Sequence, residues 1–119
     1  MKKLLASLIY SLNGLKKAYQ RDKSFRMEVW SAVLWILFGF FAWPLSQTEF
    51  LFLSGSYSLI LITELINTAF EAALERLHPE RHELVGATKD IASAAVFMAI
   101  IFAIIVAGVI ATSRLGGLA

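Results

Sequence analysis

Cysteine is absent from this 119-residue chain, so the chain has neither a disulfide framework nor a thiolate metal site. Charged residues are also missing from two long stretches, residues 29–48 and 91–113. The chain is 58% hydrophobic, and its mean hydropathy is +0.68. This composition is too apolar for an ordinary soluble domain and predicts a small integral membrane protein.

Three stretches are long enough to cross a membrane as helices: residues 29–48, 50–77 and 91–113. About 20 helical residues span a hydrocarbon core roughly 30 Å thick. We therefore predict an all-α membrane protein with a single domain over residues 1–119. Residues 1–27 are predicted to form an amphipathic surface helix. A bundle this small buries few side chains, so we expect the chain to self-associate.

The basic residues are unevenly distributed along the chain. Seven of the eleven Lys and Arg residues lie before residue 27, and three more lie between residues 76 and 90. The positive-inside rule places the N-terminus and the link between the second and third spans in the cytoplasm. The N-terminal basic charge suggests contact with anionic lipid or phosphates. It is not a nucleic-acid signature, because most of the remaining chain belongs in lipid.

One face of the N-terminal helix is basic at helical spacing and contains Lys3, Tyr10, Gly14, Lys17 and Arg21. The simpler interpretation is a solvated polar face. The alternative is a phosphate-binding face. The tyrosine and the glycine favour this alternative slightly, because a ring stacks on a base and glycine lets a ligand approach the backbone.

Acidic residues occur where the second span should be apolar. Glu64, Asn67 and Glu71 share one face of the predicted helix. Carboxylates in hydrocarbon are costly and usually mark a functional site. The alternative for Glu64 is a structural pairing with a lysine, or burial in an oligomer interface.

Some neighbouring residues have simpler interpretations. Asn67 alone is more often a helix–helix contact than a ligand. Glu75 is expected to be a solvated charge that pairs with Arg76 or Arg81. The Lys89–Asp90 pair alone is typical of a membrane interface.

Phosphoryl transfer needs a set of groups of this kind: a divalent metal on the phosphates, a cation on the developing charge and a base for the attacking hydroxyl. Glu71 suits a Mg²⁺ ligand. Glu64, deeper in lipid, suits the base, because an apolar environment raises the proton affinity of a carboxylate. Lys89 then caps the phosphates and Asp90 orients it. Two residues of the second link are placed to touch a nucleotide, Glu80 and His82.

The sequence has no glycine-rich P-loop and no HRD or DFG segment, so a kinase here has a different design. Two strings, E-L-I-N-T-A-F-E at 64–71 and H-E-L-V-G-A-T-K-D-I-A-S-A-A-V at 82–96, closely resemble the bacterial integral-membrane diacylglycerol kinases. The similarity runs nearly end to end and includes Y-S-L-N-G-L-K-K-A-Y at 10–19 and F-R-M-E at 25–28.

The resemblance implies a three-span protein with a surface helix in the bacterial inner membrane. It also implies a homotrimer with active sites shared between subunits. Members of that family transfer the γ-phosphate of ATP to diacylglycerol, giving phosphatidic acid, or to undecaprenol in the Gram-positive branch. The long N-terminal helix and the Trp-rich first span favour diacylglycerol.

Individual roles follow from the same resemblance. It implies Glu64 as the catalytic base, Glu71 as a ligand of Mg²⁺ and ATP, and Asn67 as the supporting site asparagine. The implied ATP contacts are Lys3, Tyr10, Asp22, Glu71, Glu80, Arg81, His82, Lys89 and Asp90. The implied contacts to the lipid substrate are Glu28, Glu64 and Ser93.

Asp22 is a departure from the family pattern. The family has a glutamate as the second metal ligand at this place. Aspartate carries the same carboxylate on a stem shorter by one methylene, so it reaches Mg²⁺ only with a backbone shift or through a water.

Three hypotheses result from the sequence. The leading one is a diacylglycerol kinase that uses Mg²⁺ and ATP, and the second is an undecaprenol kinase. The third is a small non-enzymatic transporter that uses Glu64 as a proton site. The transporter hypothesis leaves the acids at the cytoplasmic end and the basic face of the first helix without a role.

Overall fold

The computed structural model describes residues 1–80 and 83–116, and this part of the chain is almost entirely helical. Its helices are α1 (Lys2–Arg21), α2 (Lys23–Trp30), α3 (Ala32–Phe41), α4 (Gln47–Leu77) and α5 (Glu83–Gly116). Three helical stretches are long and apolar enough to cross a membrane, and α2 with α3 forms the first of them: Lys23–Phe41, Gln47–Leu77 and Glu83–Gly116. The prediction of an all-α fold with three apolar spans is confirmed for the described residues.

The helix boundaries differ from those predicted at several places. The predicted surface helix over residues 1–27 is interrupted at Asp22, where the backbone is extended and the side chain accepts the Ser24 N–H at 2.9 Å. Asp22 is therefore the N-cap of a new helix. The first span, predicted to reach residue 48, ends as a helix at Phe41, shortly before Pro44. Proline disfavours helical backbone at the residue before it.

The packed centre of the molecule lies between α4 and α5, which run antiparallel. Ile60 packs against Ala99 and Ala103, and these small side chains let the two helices approach closely. Farther along, Leu53 packs against Val106 and Ile110.

This register determines which residues of α4 and α5 lie at the same level. Each step along α4 towards Leu77 corresponds to a step along α5 towards Glu83. Because Ile60 packs against both Ala99 and Ala103, extending this register by helical rise places Asn67 near the level of Ser93, and Glu71 near the level of Lys89. The two groups of sequence-predicted residues on α4 and α5 therefore approach each other at one end of the helix pair.

The opposite end of the three spans is joined by one arginine. Arg114 of α5 contacts Glu49 Oε1 at 2.7 Å and the backbone carbonyl groups of Ala42 and Pro44 at 3.0 and 3.2 Å. Glu49 also completes a capping box with Ser46 at the start of α4. This network holds the far end of the bundle together.

Large apolar side chains cover much of the exposed surface. Trp43 is 71% exposed, Phe40 is 71% exposed and Leu34 is 69% exposed. A surface this apolar fits a lipid environment or contact with further copies of the chain.

Candidate functional site

A buried carboxyl group lies at the centre of the candidate site. Glu64, on α4, is only 4% exposed. Its neighbours on the same face, Asn67 and Thr68, are also buried. The Thr68 hydroxyl lies 2.9 Å from the Glu64 backbone carbonyl oxygen and also donates to the Asp22 carboxylate. An acid sequestered in a membrane-spanning helix and surrounded by polar side chains marks a functional site.

Asp22 joins the junction of α1 and α2 to this site. Its carboxylate lies within hydrogen-bonding range of the Glu64 side chain, and it accepts the Thr68 hydroxyl and the Ser24 N–H. Partial burial acts to raise the pKa of Asp22, but the hydrogen bonds from Thr68 and from the backbone N–H of Ser24 help to outweigh it. The pKa of Asp22 is therefore below its usual value.

Asn67 lies between the two acids of α4. Its Nδ2 is 3.5 Å from Glu71 Oε1. Its Oδ1 is buried and has no hydrogen-bond partner within residues 1–80 and 83–116. A buried acceptor without a partner is costly, so this oxygen is available to a donor or a cation that enters the site.

The site offers only part of the ligand set that a divalent metal needs. In the described part of the chain, no three carboxylate or imidazole groups lie close enough together to hold an ion alone. Mg²⁺ usually takes one or two carboxylates and completes its shell with phosphate and water. The Glu71 carboxylate and the unpaired Asn67 Oδ1 fit that incomplete set.

Glu28 of α2 is the third carboxylate near the centre. It is close enough to Glu64 for the two charges to interact. Asp22, Glu28 and Glu64 therefore come from three helices or helix ends that are distant in sequence and meet at one place.

A groove of about 730 Å³ opens where α4 ends and α5 begins. It is lined in part by Glu75, His78, Glu80 and Lys89. His78 Nδ1 lies 3.5 Å from Glu80 Oε1. Because Lys89 lies near the level of Glu71, this groove lies next to Glu71 and Asn67 of α4. Lys89 places a positive charge at its edge.

The remaining predicted residues are not all brought to this site. Lys3 and Tyr10 are exposed on α1, and no hydrogen bond or ion pair connects them to the site among the described residues. Asp90 and Ser93 lie on α5 at the right level but are exposed in the single chain. Arg81 and His82 lie outside the described residues.

Two features of the site were not predicted. Thr68 was overlooked because a threonine within an apolar helix carries no distinctive sequence signal. Glu75 was expected to pair with Arg76 or Arg81, but it pairs with Arg21 at 2.5 Å. Arg81 lies outside the described residues. The pairing with Arg21 was missed because α1 folds back beside α4, a long-range contact that local spacing does not reveal.

Comparison with known proteins identifies the family of this chain. The sequence pattern of the prokaryotic diacylglycerol kinases matches residues 9–111. The chain belongs to the prokaryotic diacylglycerol kinase family. It is a lipid kinase of the bacterial membrane, and kinases of this family use ATP and a divalent metal.

Several curated relatives are named diacylglycerol kinase. A diacylglycerol kinase of Haemophilus influenzae is 39% identical over 97 residues, covering 82% of this chain and 81% of its own. The diacylglycerol kinase of Escherichia coli K12 is 36% identical over 107 residues, covering 90% and 87%. That of Pseudomonas aeruginosa is 36% identical over 100 residues, covering 84% and 80%. The family does not favour the transporter hypothesis.

Proposed function

We propose that this protein transfers the γ-phosphate of ATP to the free hydroxyl of diacylglycerol, with Mg²⁺, at the cytoplasmic side of the inner membrane. The products are phosphatidic acid and ADP. The observation that carries the proposal is the buried Glu64, on the same face of α4 as Asn67 and Glu71, with Glu71 near the level of Lys89 of α5. Membership of the diacylglycerol kinase family and the names of the relatives support the same substrate.

Glu64 acts as the general base. The lipid hydroxyl reaches Glu64 from within the bilayer, and its proton passes to the Glu64 carboxylate as its oxygen bonds to the γ-phosphorus. The bond between the γ-phosphorus and the bridging oxygen breaks, and ADP leaves. Burial of Glu64 favours this role, because desolvation makes a carboxylate a better proton acceptor.

Glu71 and Asn67 hold the phosphate end of the nucleotide. These two residues would hold Mg²⁺, which would supply positive charge to offset the charge of the nucleotide phosphates. The Asn67 amide fixes the Glu71 carboxylate, and its free Oδ1 is an additional ligand. Lys89 contacts the transferring phosphate, and Asp90 next to it orients the lysine.

The role of Asp22 as a second metal ligand stays a prediction from the family resemblance. Both of its carboxylate oxygens already accept a hydrogen bond, from Ser24 and from Thr68. This arrangement supports a structural role at the start of α2 more directly than a metal role.

The rest of the nucleotide lies in the groove that contains Glu80, with Arg81 and His82 assigned to it from the resemblance. Lys3 and Tyr10 are exposed on α1 and lie apart from this groove in the single chain. A homotrimer with shared active sites resolves this separation, because α1 of one subunit then contributes to the site of the next.

The proposal is tested by transfer of radiolabelled γ-phosphate from Mg²⁺–ATP to diacylglycerol and, in parallel, to undecaprenol in mixed micelles. We expect the label in phosphatidic acid. Glu64→Gln should lower the rate by about 10²- to 10⁴-fold, the usual contribution of a general base, while ATP binding is retained.

Glu49→Gln is the matched control. It makes the same substitution on the same helix, but Glu49 lies at the far end, in the network with Arg114. We expect its initial rate at low temperature to equal that of the wild type. A normal rate for Glu64→Gln would exclude Glu64 as the base, and transfer mainly to undecaprenol would replace the proposed substrate.

A further inference from the structure

The first span is interrupted at Ser31, three residues after Glu28. Helix α2 ends at Trp30 and α3 begins at Ala32. The Ser31 hydroxyl donates a hydrogen bond of 2.6 Å to the backbone carbonyl oxygen of Glu28. Hydroxyl groups that bond to carbonyl groups of the preceding turn bend helices. The turn that carries Glu28 is therefore the irregular part of this span.

Tyr57 of the neighbouring helix α4 forms hydrogen bonds to the same turn. Its hydroxyl lies 3.0 Å from the carbonyl oxygen of Glu28 and 3.1 Å from that of Val29. Its ring packs against Trp35, with the ring centroids 6.4 Å apart. A half-buried hydroxyl that donates to two consecutive carbonyl groups restrains the turn relative to α4, which also carries Glu64.

The Glu28 carboxylate depends on this restraint. Among the described residues, no group donates a hydrogen bond to its side-chain oxygens. Helix α2 packs against α4, and the Tyr57 hydroxyl reaches the Glu28 carbonyl oxygen, so this turn lies against the helix that carries Glu64. The position of the carboxylate is therefore set mainly by the backbone of the turn.

We propose that Tyr57 is a positioning residue of the lipid-binding part of the site. By fastening the turn at Glu28 and Val29 to α4, it holds the Glu28 carboxylate beside Glu64. There Glu28 accepts a hydrogen bond from a polar group of the lipid acceptor. This inference rests on the proposed function, because that function assigns Glu28 to the lipid.

Tyr57→Phe removes only the hydroxyl and tests the proposal by steady-state kinetics with lipid and ATP varied separately. We expect the KM for diacylglycerol to rise about fivefold, the effect of one net hydrogen bond. The KM for ATP should stay unchanged. Ser58→Ala is the matched control, because it removes a neighbouring hydroxyl that bonds only within α4, to the Ser54 carbonyl at 2.8 Å. Both of its KM values should equal those of the wild type.

A double-mutant cycle with Glu28→Gln separates positioning from a purely structural role. If Tyr57 acts through Glu28, the effect of Tyr57→Phe disappears in the Glu28→Gln background. A persistent effect, equal losses for lipid and ATP, or wild-type kinetics in Tyr57→Phe would each overturn the inference.

Should Tyr57→Phe fail to fold, Ser31→Ala supplies the same test, because it removes the other hydroxyl that bonds to the Glu28 carbonyl. It too should raise the KM for lipid alone, and unchanged kinetics would count against the proposal. A wild-type protein without activity on diacylglycerol would instead overturn the proposed function itself.

Discussion

Glu71 presents its carboxylate 3.5 Å from the Asn67 amide nitrogen, about two helical turns from the buried Glu64. Glu71→Gln removes the charge but keeps the size of the side chain. We expect the Mg²⁺ concentration for half-maximal rate to rise at least about tenfold, since a carboxylate is the main protein ligand of this ion. The measurement is the initial rate over a Mg²⁺ titration at fixed ATP. An unchanged titration would assign the metal to other residues.

Asp22 offers a second test at the scale of one side chain. Asp22→Ala removes the N-cap of α2 and leaves the Thr68 hydroxyl without its acceptor. It should destabilise the protein by about 0.5–2 kcal/mol from the cap alone. Asp22→Asn keeps most of the cap and should change the Mg²⁺ titration little. A tenfold weaker Mg²⁺ response in Asp22→Asn would instead establish the metal role.

The lowered pKa of Asp22 also predicts how stability depends on pH. Because the pKa in the folded chain lies below the unfolded value of about 3.9, the carboxylate stabilises the fold above that pH. The contribution is lost as the pH falls through the folded value. Thermal unfolding in micelles should therefore show a steeper loss of stability below about pH 4 for the wild type than for Asp22→Asn. Parallel curves would contradict this.

The acids of the site were predictable from sequence because a charge in an apolar run is conspicuous and helical periodicity places its neighbours on one face. Glu64, Asn67 and Glu71 were found in this way. Thr68 and Tyr57 were not, because their importance depends on contacts with Asp22 and Glu28, which are distant in sequence. No local pattern contains that information.

Among the helices, α4 has the most clearly defined start. Ser46 and Glu49 form the capping box, and Arg114 of α5 connects it to the loop that follows α3. Arg114→Lys keeps the charge but loses the planar fork that reaches Glu49, Ala42 and Pro44 together. We expect a lower midpoint of thermal unfolding and an unchanged initial rate at low temperature, since the network is remote from Glu64. A loss of activity without a loss of stability would contradict the structural role.

The number and order of the apolar spans followed from hydropathy, because an uncharged run of about 20 residues has few other outcomes. The ends of the helices were predicted less accurately from the sequence. The break at Asp22 depends on a side-chain cap, and the break at Ser31 on hydroxyl bonds that include one from α4. The early start of α5 at Glu83 reflects a helix that continues beyond its apolar part.

At the scale of the whole molecule, the exposed apolar surface and the separation of Tyr10 from the site both favour assembly. We expect native mass spectrometry from detergent to give three times the chain mass of 13.2 kDa. A monomer with full activity would overturn the shared-site proposal, because Tyr10 is 74% exposed in one chain and does not line the groove. The number three comes from the family resemblance, since hydropathy alone predicts association without a count.

The depth of Glu64 has a consequence for how the enzyme meets its acceptor. Glu64, the proposed base, lies in a span, so a lipid would reach it by diffusing sideways in the plane of the membrane, while the nucleotide arrives from water. The relevant concentration of the acceptor is therefore its mole fraction in the membrane, a two-dimensional quantity. Inert lipid added at a constant total amount of diacylglycerol dilutes the acceptor in that plane, and turnover slows although nothing in the aqueous phase has changed.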